Sequence, residues 1–251
     1  MTHQPRTAVY TGSRNLYEHM VPAAKSLLCN SDVERIVLLI EDDVFPEPLP
    51  DCFDVRNVSQ QEYFWTFGPN YTGPFTYLAM MRAALAQIFP ELDRIVALDV
   101  DTIACGPCSQ LWTLPIGDNL IAAAREYAYG ANHPDPYYNA GVTVQNLSAL
   151  RASGMDAALI RDLNTTYRPF VEQDSYNVLF PERIMELPPE YNACMFNQSP
   201  VPQESIRIRH FAAEHDHRWT QDPSYLHYKT MPWFQVMLEH YKHFPKGATF
   251  A

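Results

Sequence analysis

The segment that most limits the possible fold is residues 94–102, which read R-I-V-A-L-D-V-D-T. Its uninterrupted run of Ile, Val, Ala and Leu is typical of a strand that is buried on both faces of a parallel sheet. Side chains two positions apart in an extended chain point the same way, so Asp99 and Asp101 should project together from the carboxyl end of this strand. In open α/β sheets that end is where ligands bind.

Two neighbouring carboxylates without an adjacent cation in the sequence repel each other unless a positive charge lies between them. A divalent metal ion bound by Asp99 and Asp101 is one explanation for the pattern. The alternative is a strand end followed by an Asp-rich turn, because Asp is a common turn residue.

Bulk composition restricts the class of protein. The chain has 251 residues, of which 47% are apolar and 19% charged, enough for one large α/β domain or two small ones. The net charge of −11 and the lack of a basic run argue against a nucleic-acid partner. No apolar stretch is long enough for a transmembrane helix, and the polar first residues predict no signal peptide. The five widely spaced cysteines favour a reducing compartment, so we expect a cytoplasmic protein.

The first hundred residues alternate between strand and helix patterns in the order β-α-β-β-α-β, which is typical of a nucleotide-binding half with a mostly parallel sheet. The predicted strands are Thr7–Thr11, Arg35–Ile40, 53–58 and the strand that ends at Asp99, and the predicted helices are 17–28 and 75–89.

The second half is less regular. Predicted strands lie at 119–124, 139–146 and 206–211, and predicted helices at 155–164, 172–180 and 232–243. Because no linker is evident, we expect one domain. It divides into a nucleotide-binding half (about 1–105), a second half (106–219) and a carboxy-terminal helical extension (220–251).

Several further residues could carry chemistry. His210 ends an alternating strand, and an imidazole there could join two carboxylates around Mn²⁺, or less well Mg²⁺. Arg82 lies within an apolar helix, which indicates either a buried ion pair or phosphate contact, or a surface position on the polar stripe. His217 and Arg218 are candidate phosphate contacts. The acidic start of the helix at Glu172 is explained by ordinary helix-dipole chemistry.

The most conspicuous local motif is Cys105-Gly106-Pro107-Cys108, which is the dithiol motif of thioredoxin-like proteins. It follows the Asp pair by only three residues, and the chain is far larger than a thioredoxin fold requires. We therefore favour a Gly-Pro turn that leads into a short helix, and no second C-x-x-C pair exists to complete a zinc site.

Taken in order, the motifs resemble those of glycosyltransferase family 8, which includes bacterial lipopolysaccharide galactosyl- and glucosyltransferases and glycogenin. The resemblance covers about residues 7–219. It rests on A-V-Y-T-G-S-R-N-L-Y with A-A-K-S-L-L, T-Y-L-A-M-M-R-A-A-L, L-D-V-D-T, Y-Y-N-A-G-V-T-V-Q-N-L, E-Q-D-S-Y-N and R-H-F…H-R-W.

The resemblance implies a GT-A fold and a metal-dependent, retaining transfer of a hexose, glucose or galactose, from a UDP-sugar. It assigns Asp99, Asp101 and His210 to Mn²⁺, with Mg²⁺ as an alternative. Gln173 and Asp174 would lie at the reactive face of the sugar. Because Gln173 is a feeble nucleophile, a front-face attack within an ion pair is the expected route to retention.

The resemblance also implies a donor site, and it makes residues 106–219 the sugar and acceptor half. Arg82 would lie near the donor sugar and phosphates as part of the catalytic group. Two departures from the family pattern concern the base: Ser13 replaces a frequent acidic residue, and Leu16 stands at the position of the uracil-stacking Tyr, one place before Tyr17. The donor-binding residues implied are Thr11, Gly12, Asn15, Tyr17, Asp99, Val100, Asn139, Ala140 and Arg218.

The acceptor, a saccharide, glycolipid or protein, is not identified by the sequence, nor is the oligomeric state. The aromatic segments 63–74 and 127–138 are the expected acceptor loops. A peripheral position at the inner membrane face is compatible with the expected location. Two other functions stay open: a nucleotide-sugar-binding protein without transfer activity, and a thiol oxidoreductase that uses Cys105 and Cys108.

Overall fold

The computed structural model describes residues 3–73, 75–126, 136–194, 201–212 and 218–245. In chain order its strands are β1 (Thr7–Thr11), β2 (Arg35–Ile40), β3 (Phe53–Asn57), β4 (Arg94–Leu98), β5 (Thr102–Ala104), β6 (Ile121–Arg125), β7 (Tyr138–Asn146), β8 (Ile184–Leu187), β9 (Ala193–Cys194) and β10 (Ile208–His210). Its helices are α1 (Tyr17–Asn30), α2 (Thr76–Met80), α3 (Leu85–Ile88), α4 (Gln110–Thr113), α5 (Leu147–Ser153), α6 (Met155–Thr165), α7 (Val171–Leu179), α8 (Pro223–Thr230) and α9 (Trp233–Tyr241).

The main sheet is mixed and mostly parallel, as the sequence predicts. Its strands lie in the order β3-β2-β1-β4-β7-β6-β8. β1 pairs in parallel with β2 and β4, β2 with β3, and β6 with β8. β7 runs antiparallel to both β4 and β6. Because β1, β2, β3 and β4 run in the same direction, their carboxyl ends meet at one edge of the sheet.

Both faces of this sheet are buried, which explains why its central strands read as continuous apolar runs. Along β4, Val96 and Leu98 face one layer of the core, and Ile95 and Ala97 face the other. Helices α1, α4 and α9 contribute to the first layer, and helices α2, α3, α5, α6 and α7 contribute to the second. The sheet therefore holds the end of β4 rigidly between two packed layers.

A small second sheet lies beside the end of β4. β10 pairs antiparallel with β5, where His210 is opposite Thr102, and parallel with β9, where His210 is opposite Cys194. Since β5 begins immediately after Asp101, this register brings residues 210 and 101 together despite their separation in the sequence.

The helix predicted over residues 75–89 is interrupted. It consists of α2, a 3-10 turn at Met81–Ala84, and α3. The carbonyl of Arg82 lies in this turn and accepts a hydrogen bond from Gln145 Nε2 at 3.1 Å, rather than remaining within a regular helix. The apolar pattern predicts the helix but not this tertiary contact.

Other differences are small. The predicted strand 206–211 shortens to β10, and the remaining predicted elements shift by one or two residues at their ends, within the usual uncertainty of element boundaries. Sequence patterns missed the short strands β5, β8 and β9 and the helices α5 and α8. Those strands span two to four residues, which is too short to show the alternation of apolar and polar residues that predicts a strand.

The carboxy-terminal helices pack on α1. Val236 of α9 is fully buried, and the buried ring of His240 places Nδ1 3.1 Å from the carbonyl of Leu28. The buried Lys25 ammonium donates to the carbonyl of Met231 at 2.8 Å. None of the helices within the described ranges has the length and apolar character needed to cross a membrane.

We expect Val236→Ala to lower the free energy of unfolding by about 1–3 kcal/mol, because it removes buried methyl groups and leaves a cavity between α9 and α1. Phe234→Ala on the same helix is the matched control: its side chain is 70% exposed, so the change should stay within about 0.5 kcal/mol. Urea unfolding of both variants measures the difference. Equal stabilities would show that α9 contributes nothing to the fold.

Candidate active site

The two aspartates predicted from the sequence leave the carboxyl end of β4 and turn directly into β5. The amide of Asp99 donates to the carbonyl of Gly141 at 2.8 Å, and the amide of Phe211 donates to the carbonyl of Asp101 at 3.0 Å. The hydroxyl of Thr102 donates to the carbonyl of Asp99 at 2.6 Å and tightens the turn. Backbone bonds from β7 and from the end of β10 thus hold both aspartates.

The imidazole of His210 lies against this pair. Its Nε2 is 3.5 Å from Oδ2 of Asp99 and 3.4 Å from Oδ1 of Asp101. One ligand atom from each of the three residues can be chosen so that all lie within 4.8 Å of one another. Two carboxylates and one imidazole at this spacing form a donor set suited to a divalent cation.

Charge interactions in this cluster are strong. Burial disfavours the charged form of Asp99, but the Arg82 guanidinium and the hydrogen bond from His210 overcome it and lower its pKa to about 2. Burial likewise opposes a charged His210, yet Cys194 and then Asp101 and Asp99 raise its pKa well above the ordinary value. The carboxylates therefore favour a cation at this position, whether it is a proton or a metal ion.

Arg82, predicted from its apolar surroundings, is 6% exposed and lies beneath the aspartates. Its Nη1 donates to Oδ1 of Asp99 at 2.5 Å and to the carbonyl of Ala140 at 3.0 Å, and its Nη2 donates to Oε1 of Glu172. The guanidinium thus joins the carboxyl edge of the sheet to the first turn of α7. Arg82 Nε and Glu172 Oε2 are buried without a hydrogen-bond partner among the described residues.

Glu172 is the main charged group whose role the sequence patterns missed. Its position in the first turn of α7 had an ordinary helix-dipole explanation, but its side chain is 1% exposed and paired with Arg82. Burial raises its pKa, and Arg82 opposes that rise. In the sequence, the feature that could have pointed to Glu172 is its position next to Gln173. Burial of the carboxylate, however, depends on how α7 packs against the rest of the fold.

Gln173 and Asp174 meet Tyr137 in a second polar cluster. Gln173 Oε1 accepts from the amide of Ala140 at 2.8 Å, and its Nε2 donates to the Tyr137 hydroxyl at 3.2 Å. That hydroxyl donates to Oδ1 of Asp174 at 2.5 Å, while Oδ2 of Asp174 accepts from the amide of Phe170 at 2.8 Å. Gln173 is therefore tied to β7 beside Asp99, and Asp174 holds the start of α7.

The start of β7 approaches the cluster closely. A Cβ atom on Gly141 would lie 2.0 Å from Cε1 of His210, so only glycine lets the imidazole occupy this place. Asn139 and Ala140, both predicted to contact the donor, are 6% and 3% exposed, and Val100 is 8% exposed. The side-chain oxygen of Asn139 accepts from the Gly141 amide and from Asn192, and its Nδ2 donates to Glu126. A sugar could therefore reach only the second hydrogen of Nδ2 without replacing one of these bonds.

The predicted first-turn residues lie at the same edge of the sheet, at the end of β1. Asn15 is exposed, and its Oδ1 accepts from the Ser13 hydroxyl at 2.5 Å. Tyr17 is only 5% exposed, and its hydroxyl donates to Asp42 at 3.0 Å. Gly12 is packed so tightly that a Cβ atom would lie 2.7 Å from the end of Met20. Thr11 is partly exposed, and the side chain of Arg218 lies outside the described part of the chain.

The cysteine motif lacks the features of a redox site. Cys105 and Cys108 are both free thiols, the first exposed and the second buried. Burial is the main cause that raises both pKa values, to about 12 for Cys108. A catalytic dithiol requires the opposite shift for one of its thiols. The motif forms the turn between β5 and α4, as the sequence predicts.

The fold is that of the GT-A glycosyltransferases. The pattern described as Glycosyl transferase family 8 matches residues 14–235, and the chain belongs to this family. Glycosyltransferase GlyE of Streptococcus pneumoniae serotype 4 (strain ATCC BAA-334 / TIGR4) is 26% identical over 208 residues, which are 76% of this chain and 48% of GlyE. GlyA of the same strain is 24% identical over 188 residues, 69% of this chain and 27% of GlyA. The chain thus spans about half, or less, of these curated relatives.

Solved structures agree on the fold. The apo bifunctional glycosyltransferase WbbM has a TM-score of 0.72 at 19% identity, over 97% of this chain and 52% of WbbM. The galactosyltransferase LgtC in complex with donor and acceptor sugar analogues has a TM-score of 0.62 at 17% identity, over 92% of this chain and 99% of LgtC. At these identities the likeness shows the fold alone.

We expect Arg82→Met to lower the free energy of unfolding by about 3–5 kcal/mol, because it leaves the buried Glu172 carboxylate without its cation. Adding Glu172→Gln should recover part of this loss, since no unpaired charge then remains at that position. Urea unfolding measures all three proteins. Arg161→Met, at an exposed arginine of α6, is the charge-matched control and should stay within about 0.5 kcal/mol. A double variant less stable than Arg82→Met would contradict this account.

Proposed function

We propose that the chain is a metal-dependent, retaining glycosyltransferase that moves a hexose, glucose or galactose, from a UDP-sugar to an acceptor. The observation that carries this proposal is the cluster of Asp99, Asp101 and His210 at the carboxyl edge of a family 8 sheet. An acidic cluster alone is common on protein surfaces. This one includes a buried imidazole, and a buried arginine supports it from below.

The donor set fits the proposed ion. Asp99, Asp101 and His210 would hold Mn²⁺, which accepts both carboxylate oxygen and imidazole nitrogen, and Mg²⁺ is the alternative. When bound there, such an ion supplies Lewis-acid chemistry that neutralises the diphosphate of the departing nucleotide. Arg82 keeps Asp99 ionised and oriented, and it leaves a buried Nε–H near the donor phosphates and sugar.

The residues proposed at the reactive face of the sugar are Gln173 and Asp174. A neutral amide is a weak nucleophile, and the Asp174 carboxylate already accepts hydrogen bonds from the Tyr137 hydroxyl and the Phe170 amide. Both observations favour front-face attack within an ion pair over a covalent intermediate. The amide of Gln173 would then orient the sugar rather than bond to it.

The nucleoside is proposed to lie over the first turn, against Thr11, Gly12 and Asn15, with Arg218 near the phosphates. Tyr17 is buried against Phe45, with ring centroids 5.4 Å apart, and its hydroxyl accepts from the amide of Glu41 at 3.0 Å. We therefore assign Tyr17 an indirect role, in which it holds the end of β2 beneath the nucleoside.

The acceptor is proposed to bind along the aromatic segment 63–73. Trp65 and Phe67 are 46% and 82% exposed, and their rings stack 5.4 Å apart at 21°. The Asn164 amide pins this segment to α6 by bonds to the Trp65 amide and the Tyr63 carbonyl, at 2.7 and 2.8 Å. A groove of about 580 Å³ lies between them. Rigid exposed aromatic rings suit stacking on a sugar. Most of the other expected loop, residues 127–135, lies outside the described residues.

A binding protein without transfer activity remains the second candidate, since the same residues would also hold a nucleotide sugar. The intact cluster of Asp99, Asp101 and His210 argues against it, because a metal ion held there would also neutralise the departing diphosphate during transfer. The cytoplasmic location expected from the sequence, and the division of the chain at residues 105 and 219, stay predictions.

Metal-dependent turnover tests the proposal. The full chain should hydrolyse UDP-glucose or UDP-galactose slowly without an acceptor and only with Mn²⁺ or Mg²⁺, and Asp101→Asn should reduce this rate at least 100-fold because it removes one charged ligand. Asp118→Asn, at an exposed turn, removes the same charge elsewhere and should not change the rate. Release of UDP is measured by chromatography. Turnover in EDTA would contradict metal dependence, and donor binding without hydrolysis or transfer would favour the binding protein.

The acceptor surface has its own test. Trp65→Ala should raise the acceptor KM about ten-fold, through loss of ring stacking, without changing Mn²⁺-dependent donor hydrolysis. Transfer is measured with whichever of lactose, cellobiose and chitobiose accepts sugar fastest. Tyr167→Ala removes an aromatic ring that is still more exposed, at 62%, and lies outside the groove, so it should change neither the acceptor KM nor the rate of donor hydrolysis. An unchanged KM in Trp65→Ala would remove this segment from the acceptor site.

A further inference from the structure

A chain of buried side chains runs from the imidazole of His210 into the protein. Asn192 Oδ1 lies 2.8 Å from Nδ1 of His210, and Asn192 Nδ2 donates to Oδ1 of Asn139 at 2.8 Å. Asn139 Nδ2 then donates to Oε2 of Glu126 at 2.8 Å. The four residues are between 2% and 7% exposed, so these bonds do not compete with bulk water.

The donor and the acceptor of each hydrogen bond in this series can be assigned, starting from Asn139. The backbone amide of Gly141 can only donate, and it donates to Asn139 Oδ1 at 2.8 Å. Glu126 Oε2 faces the other side of the same amide and accepts from Asn139 Nδ2. Asn139 therefore presents oxygen toward Asn192, and Asn192 must use its NH₂ group to bond to it.

The orientation of Asn192 decides the state of the imidazole. With its NH₂ group committed to Asn139, Asn192 presents its carbonyl oxygen to His210 Nδ1. That nitrogen must carry a hydrogen to bond there, so Nε2 is the nitrogen that can give up its proton. Nε2 is also the atom that faces Asp99 and Asp101.

Two further contacts restrict the ring. The backbone of Gly141 lies against it so closely that no side chain would fit between them. Cys194 Sγ is 3.5 Å from Nδ1, but sulfur is a weak partner and the Asn192 oxygen is nearer. Asn192 directly precedes β9, and the pairing of His210 with Cys194 sets its place.

We propose that Asn192, oriented by Asn139 and Glu126, is the positioning residue that keeps His210 Nε2 aimed at the metal position between Asp99 and Asp101. This inference rests on the proposed metal-dependent function. It also gives Asn139 a role other than direct sugar contact. Its side-chain amide on β7 fixes the orientation of the Asn192 amide, which lies just before β9. Partners that hold the second nitrogen of a metal-binding histidine typically change metal affinity 10- to 100-fold.

Affinity for Mn²⁺ tests the proposal without relying on turnover. Electron paramagnetic resonance of free Mn²⁺, alone and with UDP, gives the dissociation constant for the full chain. Asn192→Leu removes the acceptor at similar volume and should weaken binding 10- to 100-fold. Asn192→Asp keeps an acceptor oxygen for Nδ1–H and should bind Mn²⁺ at least ten-fold more tightly than the leucine variant. If Asn192 only fills space, the leucine variant will bind Mn²⁺ as well as the wild-type chain, which would overturn the proposal.

The control is Asn30→Leu. Asn30 is a half-buried asparagine whose amide donates to the carbonyls of Ser26 and Ala104. Its loss should lower stability without changing Mn²⁺ affinity. Equal weakening in Asn30→Leu and Asn192→Leu would mean that general destabilisation explains the effect, and would overturn the proposal. If the wild-type chain binds no Mn²⁺ even with UDP, the metal-dependent function itself fails.

A spectroscopic readout is independent of affinity. In the Mg²⁺-loaded wild-type chain with ¹⁵N-labelled histidine, we expect a slowly exchanging, hydrogen-bonded Nδ1–H of His210. The signal should persist in Asn192→Asp and disappear in Asn192→Leu. A protonated Nε2 in the loaded wild-type chain would contradict the proposed direction of the hydrogen-bond chain.

Discussion

The contact on which the site depends is the Arg82 guanidinium between Asp99 and Glu172. A buried carboxylate such as Glu172 costs several kcal/mol unless it is paired, and Arg82 is the paired cation within the described residues. One side chain therefore links β4, α7 and, through the carbonyl of Ala140, β7. Without it, burial would raise the pKa of Asp99 with only His210 to oppose that rise.

The second constraint is the register of the small sheet. His210 reaches the aspartates because β10 pairs with the strand that begins right after Asp101, and Gly141 leaves room for the ring. The two constraints act on different residues of the cluster. Arg82 donates a hydrogen bond to Asp99, whereas the pairing of β10 with β5 and β9 places the imidazole of His210 beside both aspartates. A divalent ion at this place would add positive charge to a cluster that already favours a cation.

Much of the fold was predictable from sequence because its strands are buried on both faces. The continuous apolar runs of β1, β2 and β4, with helical periods between them, predict a mostly parallel α/β sheet, and the structure agrees. The 3-10 turn at Met81–Ala84, where Gln145 of β7 donates to the carbonyl of Arg82, was not predictable from the local apolar pattern. Local patterns carry no information on such distant partners.

The sequence by itself determined which chemical groups stand at the end of β4, namely Asp99 and Asp101, and the motif order identified the family. The two carboxylates meet in the turn between β4 and β5, so this turn and not a strand period brings them together. It also singled out Arg82 and His210. Only the tertiary structure decided that Glu172 is buried against Arg82, that Tyr17 is packed away from solvent, and that Asn192 and Asn139 face His210. The physical reason is that burial and hydrogen-bond direction are set by neighbours far apart in the chain. A sequence period shows which face a residue lies on, but not which group it will meet there.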